Sequence, residues 1–398
     1  MHEGNFRSWL IWFVAGLFYL FEFIHRVIIG SFAPELIQSF NVSSAVLSNL
    51  SAAYFFSYAF MQIPAGLLID HYGNRSILTI ACLAITISSA IFALTTNINV
   101  ANLTRWVIGI GSAFAFVGCL KLAANWFPAH KFAFVVGLTN LLGVMGALIG
   151  GAPMAYAVES VSWRSIMLGS AGVGLLLTIT LWSIVRDAAS KKNSHLWQNL
   201  SLVVKNHQTW LIAIFAGCMV APIVTYSELW GTSFLINKYH LAKPYAAHIS
   251  ALTFIGIAFG SPIIGWLSDY YRQRTFFMGF GLLGAFSAIS LILFVPVLPM
   301  WLLALVHAIF GFCSSSMLLC FSLNSEATLP KVRATTVAIT NSVTMISGAL
   351  LQSVSGYLLD FTQHDYNLSF IPLLSCYFVA LLCFRFIQEL PCRFNNET

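Results

Sequence analysis

The chain carries one sequence pattern twice, in the same order and at nearly the same spacing. The stretch from Gly66 to Arg75 reads GLLIDHYGNR, and GWLSDYYRQR follows 199 positions later, from Gly265 to Arg274. Two shorter matches keep almost the same offset: Arg105 with Gly109 recurs as His307 with Gly311 at 202, and Thr139-Asn140 recurs as Thr340-Asn341 at 201. The chain is therefore predicted to fold as two homologous halves.

The composition excludes a soluble protein. Hydrophobic residues make up 59% of the 398 positions and charged residues only 8%, with a mean hydropathy of +0.83. A soluble domain carries roughly 25% charged residues. The net charge of +6 is spread over short loops rather than gathered in one patch, so no nucleic-acid partner is expected. In a chain this apolar, duplicated halves are typical of transporters, which bind substrate between two repeats that rock against each other.

Twelve runs are apolar enough and long enough to cross a bilayer, which takes about 20 residues. They predict an all-α, polytopic membrane protein with twelve transmembrane helices in two pseudo-symmetric six-helix halves. The predicted halves are residues 1–185 and 209–398, joined by a polar cytoplasmic linker at 186–208. The runs cover residues 9–31, 45–69, 75–95, 100–123, 132–157, 164–185, 209–236, 246–268, 275–295, 299–322, 334–359 and 368–388.

The basic residues predict the orientation. With the N-terminus inside, 12 of the 19 lysines and arginines fall in cytoplasmic segments, three in outer loops and four within spans or at their ends. Because cytoplasmic loops carry the excess of basic residues, both termini are predicted to be cytoplasmic in a multi-pass protein of the cell inner membrane. The cytoplasmic set is Arg7, Arg75, Lys131, Arg186, Lys191, Lys192, Lys205, Arg272, Arg274, Lys331, Arg333 and Arg393, and the outer set is Arg164, Lys238 and Lys243.

The repeated motif resembles the signature of the major facilitator superfamily, G-x-x-x-D-x-x-G-x-R. Gly66, Asp70, Gly73 and Arg75 occupy its fixed positions, and the second copy has Arg272 in place of the second glycine. The resemblance extends over the whole chain. It implies secondary active transport through a cavity between the halves, with spans one and seven among the helices that line it.

Span four is similar to the arginine motif of that family. Arg105 is followed by Gly109 and Gly111, but Ile108 stands where glutamine is usual, which weakens the transfer of the motif's role in proton coupling. Segments 58–64, 111–118 and 121–128 look like those of the phagosomal nutrient transporters of intracellular bacteria. That branch takes up amino acids or nucleosides, and close relatives have been linked to siderophores.

Charged side chains within the spans are the first functional candidates, because each costs roughly 2.5–3.5 kcal/mol to insert. Glu22 and Arg26 lie four residues apart on one face of span one, and Glu228 lies in span seven, one place past the position that matches Arg26. Arg26 is predicted to bind a substrate carboxylate with its planar fork. Glu22 or Glu228 would then bind a substrate amine or carry the coupling proton. The alternative is that Glu22 and Arg26 neutralise each other, or snorkel toward the helix end.

Further candidates are weaker. Arg105 on span four and its counterpart His307 could take part in proton coupling, since a histidine titrates near neutral pH, but a lone buried histidine is more often a hydrogen-bonded core residue. Lys121, near the inner end of the same span, is explained most simply by snorkelling. The polar candidates for substrate binding are Tyr58, Gln62, Asn140 and Asn341. Hydrogen bonds between helices would explain these four equally well.

The repeated motif predicts a gate on the inner side. In the family, its aspartate sits against the start of span eleven in the outward-open state, as expected for a carboxylate near a positive helix N-terminus. The gate residues are Gly66, Asp70, Gly73 and Arg75, with Asp269 in the second copy and Arg333 at the start of span eleven, where it could pair with Asp70.

These patterns predict proton-coupled uptake of a small polar metabolite such as an amino acid, by a monomer whose partners are the substrate, H⁺ and the lipid bilayer. The alternatives are a siderophore, organic-anion or drug efflux transporter, or a membrane receptor that transports nothing. No enzyme is predicted and no cofactor or metal, because the sequence has no metal-ligand cluster, nucleophile triad or phosphate-binding loop. Span five also lacks the Gly-Pro dipeptide of drug antiporters, which disfavours export.

Overall fold

The computed structural model of the protein describes residues 6–187, 201–329 and 332–389. Most of the predicted linker and several residues of the basic set, Lys191, Lys192, Lys331 and Arg393, lie outside the described residues. Regular structure in the described ranges is entirely helical, without a strand. The all-α prediction is confirmed.

Twelve helices are long and apolar enough to cross a membrane, and each coincides with a predicted span to within a few residues. Their mean hydropathies lie between 1.3 and 2.4, which satisfies the requirement for a mostly apolar run of about 20 residues. We number them α1 Phe6–Ser31, α2 Ser44–Tyr72, α3 Asn74–Leu94, α4 Ile98–Trp126, α5 Phe134–Ser160, α6 Trp163–Ile184, α7 His207–Tyr239, α8 Lys243–Tyr271, α9 Arg274–Phe294, α10 Met300–Glu326, α11 Arg333–Phe361 and α12 Tyr366–Phe384.

Several of these helices are interrupted, and a short extra helix, Ala33–Phe40, follows α1. The interruption in α7 matters most for function. This helix runs as an α-helix over His207–Pro222, as a π-helix over Ile223–Trp230 and again as an α-helix over Gly231–Tyr239. A π-helical turn accommodates an extra residue and is often found at functional sites. Glu228, one of the charged candidates, lies within this π-helix.

By their contacts, the described residues form two compact units. One comprises residues 1–193 together with 228–248, and the other comprises 194–227 together with 249–398. The first unit thus includes the second part of α7, beginning inside the π-helix at Glu228, and the start of α8. The division into two six-helix halves, which rests on the sequence repeat, stays a prediction.

The turn between α2 and α3 requires glycine in the first copy of the repeat. Gly73 has φ +85°, and a Cβ placed there would lie 2.5 Å from a carboxylate oxygen of Asp187. In the second copy Arg272 also has a positive φ, of 55°, which costs a non-glycine residue roughly 1–2 kcal/mol. The turn is one residue longer there, because α8 ends at Tyr271 and α9 begins at Arg274, whereas α2 ends at Tyr72 and α3 begins at Asn74. The departure from the family motif therefore goes with a different turn.

Each half of the sequence repeat also places an acidic side chain at the start of its third helix. In the first half the Arg75 N–H donates to Asp187 Oδ1 at 3.1 Å. In the second half the Arg274 N–H donates to Glu389 Oε1 at 2.5 Å, and the Thr275 hydroxyl donates to Glu389 Oε2. Backbone N–H groups at a helix start have no partner within the helix and favour a carboxylate. We call Asp187 and Glu389 the acidic caps, because each accepts a hydrogen bond from the backbone at the start of a helix, α3 or α9.

Candidate functional site

The most deeply buried ion pair that the structure describes joins Arg26 of α1 to Glu228 in the π-helical part of α7. The Arg26 Nε–H donates to Glu228 Oε2 and the Nη2–H donates to Oε1, both at 3.0 Å, and the two side chains are only 9% and 4% exposed. This is the two-pronged geometry that makes arginine–carboxylate pairs strong and directional. The rings of Phe23 and Phe55 each have their centroid 5.0 Å from the guanidinium carbon.

The backbone holds the two helices close together at this point. A Cβ at Gly30 would lie 2.2 Å from the Glu228 carbonyl oxygen and 2.9 Å from the Leu229 Cα, so only glycine permits this approach of α1 to α7. Two residues beyond Glu228, the Trp230 indole N–H donates to the Ser48 hydroxyl at 3.1 Å. The pair is thus positioned by packing on both sides, as a binding site requires.

Glu22 has a different partner from the one that its spacing indicates. The Tyr54 hydroxyl donates to Glu22 Oε2 at 2.5 Å, and the other carboxylate oxygen, Oε1, has no hydrogen-bond partner. The interpretation that Glu22 and Arg26 neutralise each other through an ion pair is wrong, because the fork of Arg26 is engaged by Glu228. Glu22 is completely buried.

Arg105 lies beside this cluster and is almost completely buried, with 1% of its surface exposed. Its Nη1–H donates to the backbone oxygen of His25 at 2.8 Å, and its guanidinium carbon lies 4.9 Å from the centroid of the Tyr54 ring. The Nε and Nη2 atoms have no protein partner. The structure therefore brings Glu22, Arg26, Arg105 and Glu228 into one buried region of the first unit, through Tyr54.

His307 belongs to the second unit and is fully hydrogen-bonded. Its Nδ1 lies 2.7 Å from the Leu303 carbonyl oxygen and its Nε2 lies 3.0 Å from the Tyr226 hydroxyl. Because a carbonyl only accepts, Nδ1 carries the proton and Nε2 accepts from Tyr226 in the neutral imidazole. This arrangement is typical of a structural core histidine, the alternative weighed from the sequence.

The polar candidates are dispersed. Tyr58 and Gln62 are buried on α2, where the Tyr58 ring stacks on Tyr54 with centroids 6.1 Å apart, and Gln62 Nε2 has no partner. Asn140 is exposed on α5. Asn341 is half-buried on α11, and its backbone oxygen accepts from the Thr344 hydroxyl at 2.7 Å. Only Tyr58, through Tyr54, is linked to the charged cluster.

Among the predicted gate residues, Asp70 forms an ion pair with Lys121 of α4. Snorkelling, which the position of Lys121 at the span end suggested, therefore does not account for this side chain. The Arg75 Nε–H donates to the Trp182 backbone oxygen at 2.8 Å, and its guanidinium stacks on that indole at 4.0 Å. Gly66 has open space around it, since a Cβ there would meet no atom within 4 Å.

The second copy of the motif is built around Arg274. Its guanidinium forms two hydrogen bonds to Glu326, of 2.9 and 2.7 Å, and an ion pair with Asp269 at 3.1 Å. Glu326 at the end of α10 is thus the main acidic partner of Arg274. Arg333 is exposed at the start of α11.

Sequence reasoning missed the roles of Tyr54 and the two acidic caps. Tyr54 shares a helix face with Tyr58 and Gln62, so helical spacing could have identified it. Asp187 and Glu389 each follow the last helix of a half, at an offset of 202. That offset is the same as the one between Arg105 and His307, and extending the search for repeats past the last spans would have found the two acids.

The comparisons with known proteins agree with this architecture. A family model described as Major Facilitator Superfamily matches residues 11–351 and 229–392. The chain is 22% identical to a probable sulfoacetate transporter, SauU, of Cupriavidus necator over 65% of this chain and 64% of that protein. It is 23% identical to a gallate transporter of Pseudomonas putida over 77% of this chain and 76% of that protein. The match thus spans less than two thirds of the first of these relatives and about three quarters of the second.

Among solved structures, the chain resembles a bacterial homologue of the human lysosomal transporter Spinster, in an inward-facing and unoccupied conformation. The TM-score is 0.74 over 96% of this chain and 95% of that chain, with 18% sequence identity. At that identity the likeness concerns the fold.

Proposed function

This chain belongs to the Major Facilitator Superfamily, and we propose that, as a secondary active transporter of that family, it takes up a small organic anion together with protons. The buried pair of Arg26 and Glu228 carries the proposal. An arginine costs free energy to place within a span, and its retention there is by default a sign of function. Arginine also matches a carboxylate better than any other side chain.

Two relatives favour an organic acid as substrate. Sulfoacetate and gallate both carry an anionic acid group, and both relatives are named for them. An amino acid, predicted from the sequence, is the second candidate. The unpartnered Oε1 atom of Glu22 supports it, because that oxygen could accept from a substrate ammonium group.

Substrate and proton would be coupled through exchange of the Arg26 partner. A substrate carboxylate that binds the guanidinium displaces Glu228, and the released carboxylate loses its counter-charge in a buried region. A proton that binds to Glu228 neutralises its carboxylate and removes the free-energy cost of a buried, unpaired charge. Glu22, linked to the same region by Tyr54, is the second proton carrier. One anion therefore enters with at least one proton, which allows an inward proton gradient to drive accumulation.

A thermal-shift screen of the purified protein tests the substrate class. A ligand that binds only the folded protein raises its unfolding temperature, by an amount that grows with concentration above Kd. We expect monocarboxylic organic acids to stabilise the protein, and their amides, which keep the shape but lose the charge, to have no effect. Stabilisation by nucleosides or by the amides would contradict an anion site at Arg26.

The remaining features of the proposal follow the sequence. We expect a monomer in the cell inner membrane that imports rather than exports its substrate. Both termini should be cytoplasmic, as the distribution of basic residues predicts. We also propose that Asp70, Gly66, Gly73 and Arg75 form an inner gate. In this structure Asp70 pairs with Lys121, so opening and closing would require it to exchange that partner for the start of α11, as the family resemblance implies.

The gate is tested by Asp70→Asn. We expect this variant to transport substrate at least tenfold more slowly and to lose much less in equilibrium affinity, because the substitution alters the balance between conformations rather than the binding site. Uptake into proteoliposomes and equilibrium binding, measured on the same preparation, separate the two effects.

Lys121→Gln is the matched control, since it breaks the same ion pair and leaves the carboxylate of Asp70 intact. A part-exposed pair of this kind contributes roughly 0–1 kcal/mol, so this variant should transport at a rate close to the native one. If Asp70→Asn also transports at the native rate, Asp70 has no role in gating.

A further inference from the structure

A row of aromatic ring contacts begins at the Arg26 guanidinium and continues through three residues. Phe23, which lies over the guanidinium, contacts Tyr19 with ring centroids 5.0 Å apart and an interplanar angle of 77°. Tyr19 in turn lies 5.3 Å from Phe116 of α4, with the rings inclined by 35°. Phe23 and Phe116 are only half-buried, so part of each ring is uncovered. We call these three residues the aromatic wall.

The wall is held in place by α5. A Cβ at Gly143 would lie 2.7 Å from Tyr19 Cε1, and one at Gly146 would lie 2.8 Å from Phe23 Cβ. The two rings therefore lie directly against the α5 backbone, at positions where a larger residue would displace them. Rings fixed in this way present a defined surface to a ligand without further loss of side-chain entropy.

The chemistry of the wall favours one class of organic anion. Aromatic rings attract one another through their quadrupoles in edge-to-face or offset arrangements, which a saturated ring cannot reproduce. The wall offers little hydrogen bonding, and a polyhydroxylated aliphatic acid would lose hydration there without recovering it. The charged end of a ligand would be bound by Arg26.

Building on the proposed function, we propose that the aromatic wall makes this site selective for a carboxylate attached directly to a planar aromatic ring. The carboxylate takes the place of Glu228 on Arg26, and the ring packs against Phe23 and Phe116. Arg26 thus selects ligands that carry a carboxylate, and the aromatic wall selects among them those with an aromatic ring.

The test compares benzoate with cyclohexanecarboxylate, which differ in ring planarity and aromaticity but carry the same charged group. Binding to the purified full-length protein in detergent is measured by calorimetry. Aromatic pairs contribute about 0.5–1.5 kcal/mol beyond the area they bury, so benzoate should bind roughly two- to tenfold more tightly. In Phe116→Leu and Phe23→Leu this preference should fall to within about twofold.

Phe40→Leu is the matched control. Phe40 is also half-buried, and its ring packs against the rings of Phe92 and Trp163 in the same unit. Neither of these two rings belongs to the aromatic wall. It should lose similar packing and keep the native preference for benzoate. The preference is the ratio of the affinities for benzoate and cyclohexanecarboxylate, both measured on the same variant. A general loss of stability lowers both affinities and therefore does not produce the expected change in their ratio.

Three other outcomes would each overturn a different statement. Equal affinity for the two acids would refute selection by the wall while leaving the anion site in place. A preference that survives in both Phe116→Leu and Phe23→Leu would assign it to other residues. If neither acid binds and carboxylates of other kinds do not either, the proposed function itself fails.

Discussion

Arg26→Ala is expected to abolish binding of organic anions and to destabilise the folded protein by about 3–5 kcal/mol. The reason is that Glu228, which is 5% exposed, would remain buried without its counter-charge, and removing one partner of a buried pair costs this much. Ligand binding by calorimetry and the unfolding temperature report the two effects. Arg26→Lys keeps the charge but loses the two-pronged geometry. The affinity of this variant for organic anions should fall roughly tenfold, which corresponds to about 1.4 kcal/mol of binding free energy.

The double variant Arg26→Met with Glu228→Leu separates stability from function. Replacing a buried ion pair by apolar residues of similar size is often neutral or stabilising, so this variant should recover the unfolding temperature and still fail to bind or transport. Lys243→Met is a control at another ion pair of the same unit, Lys243 with Glu35 at 2.6 Å, and it should transport normally. Anion transport by the double variant would show that the pair serves only the fold.

Proton coupling should be lost in Glu228→Gln and in Glu22→Gln. Both glutamines keep the shape of the side chain but cannot carry a proton. In proteoliposomes we expect each variant to exchange external for internal substrate and to fail to accumulate it against a gradient. In the native protein, uptake should rise with an inward proton gradient and collapse when a protonophore is added.

Two results would contradict this assignment in different ways. Native uptake that does not respond to the proton gradient would refute coupling to protons altogether. Normal accumulation in both glutamine variants would leave coupling in place but assign it to other groups. Tyr54→Phe adds a finer test, since it removes the hydroxyl that donates to Glu22 at 2.5 Å and nothing else. It should slow accumulation without affecting exchange.

The spans could be predicted from sequence because a membrane imposes a simple requirement of length and apolarity. The run predicted at residues 75–95, for example, is the helix Asn74–Leu94, and 275–295 is Arg274–Phe294. Backbone groups within a bilayer must be satisfied inside their own segment, so little besides the local sequence decides whether such a helix forms. The repeat then predicted which helices are related.

The partners within the site could not be predicted in the same way. Arg26 and Glu22 are neighbours on a helix face, and yet Arg26 pairs with Glu228, 202 residues away. Spacing along one helix gives only the neighbours available to a side chain, whereas packing between helices decides which of them it contacts. Asp70 shows the same limit, because its partner Lys121 lies 51 residues away on a different helix.

The two acidic caps have a consequence for how the protein is made. The Arg75 N–H in the first turn of α3 obtains its carboxylate only when Asp187 has been synthesised, 112 residues later. The Arg274 N–H of α9 obtains its carboxylate only with Glu389, 115 residues later. Domains generally fold as units while the ribosome is still at work. The N–H groups at the start of α3 and α9 therefore lack these carboxylate partners until the last helix of the same half of the repeat has been synthesised.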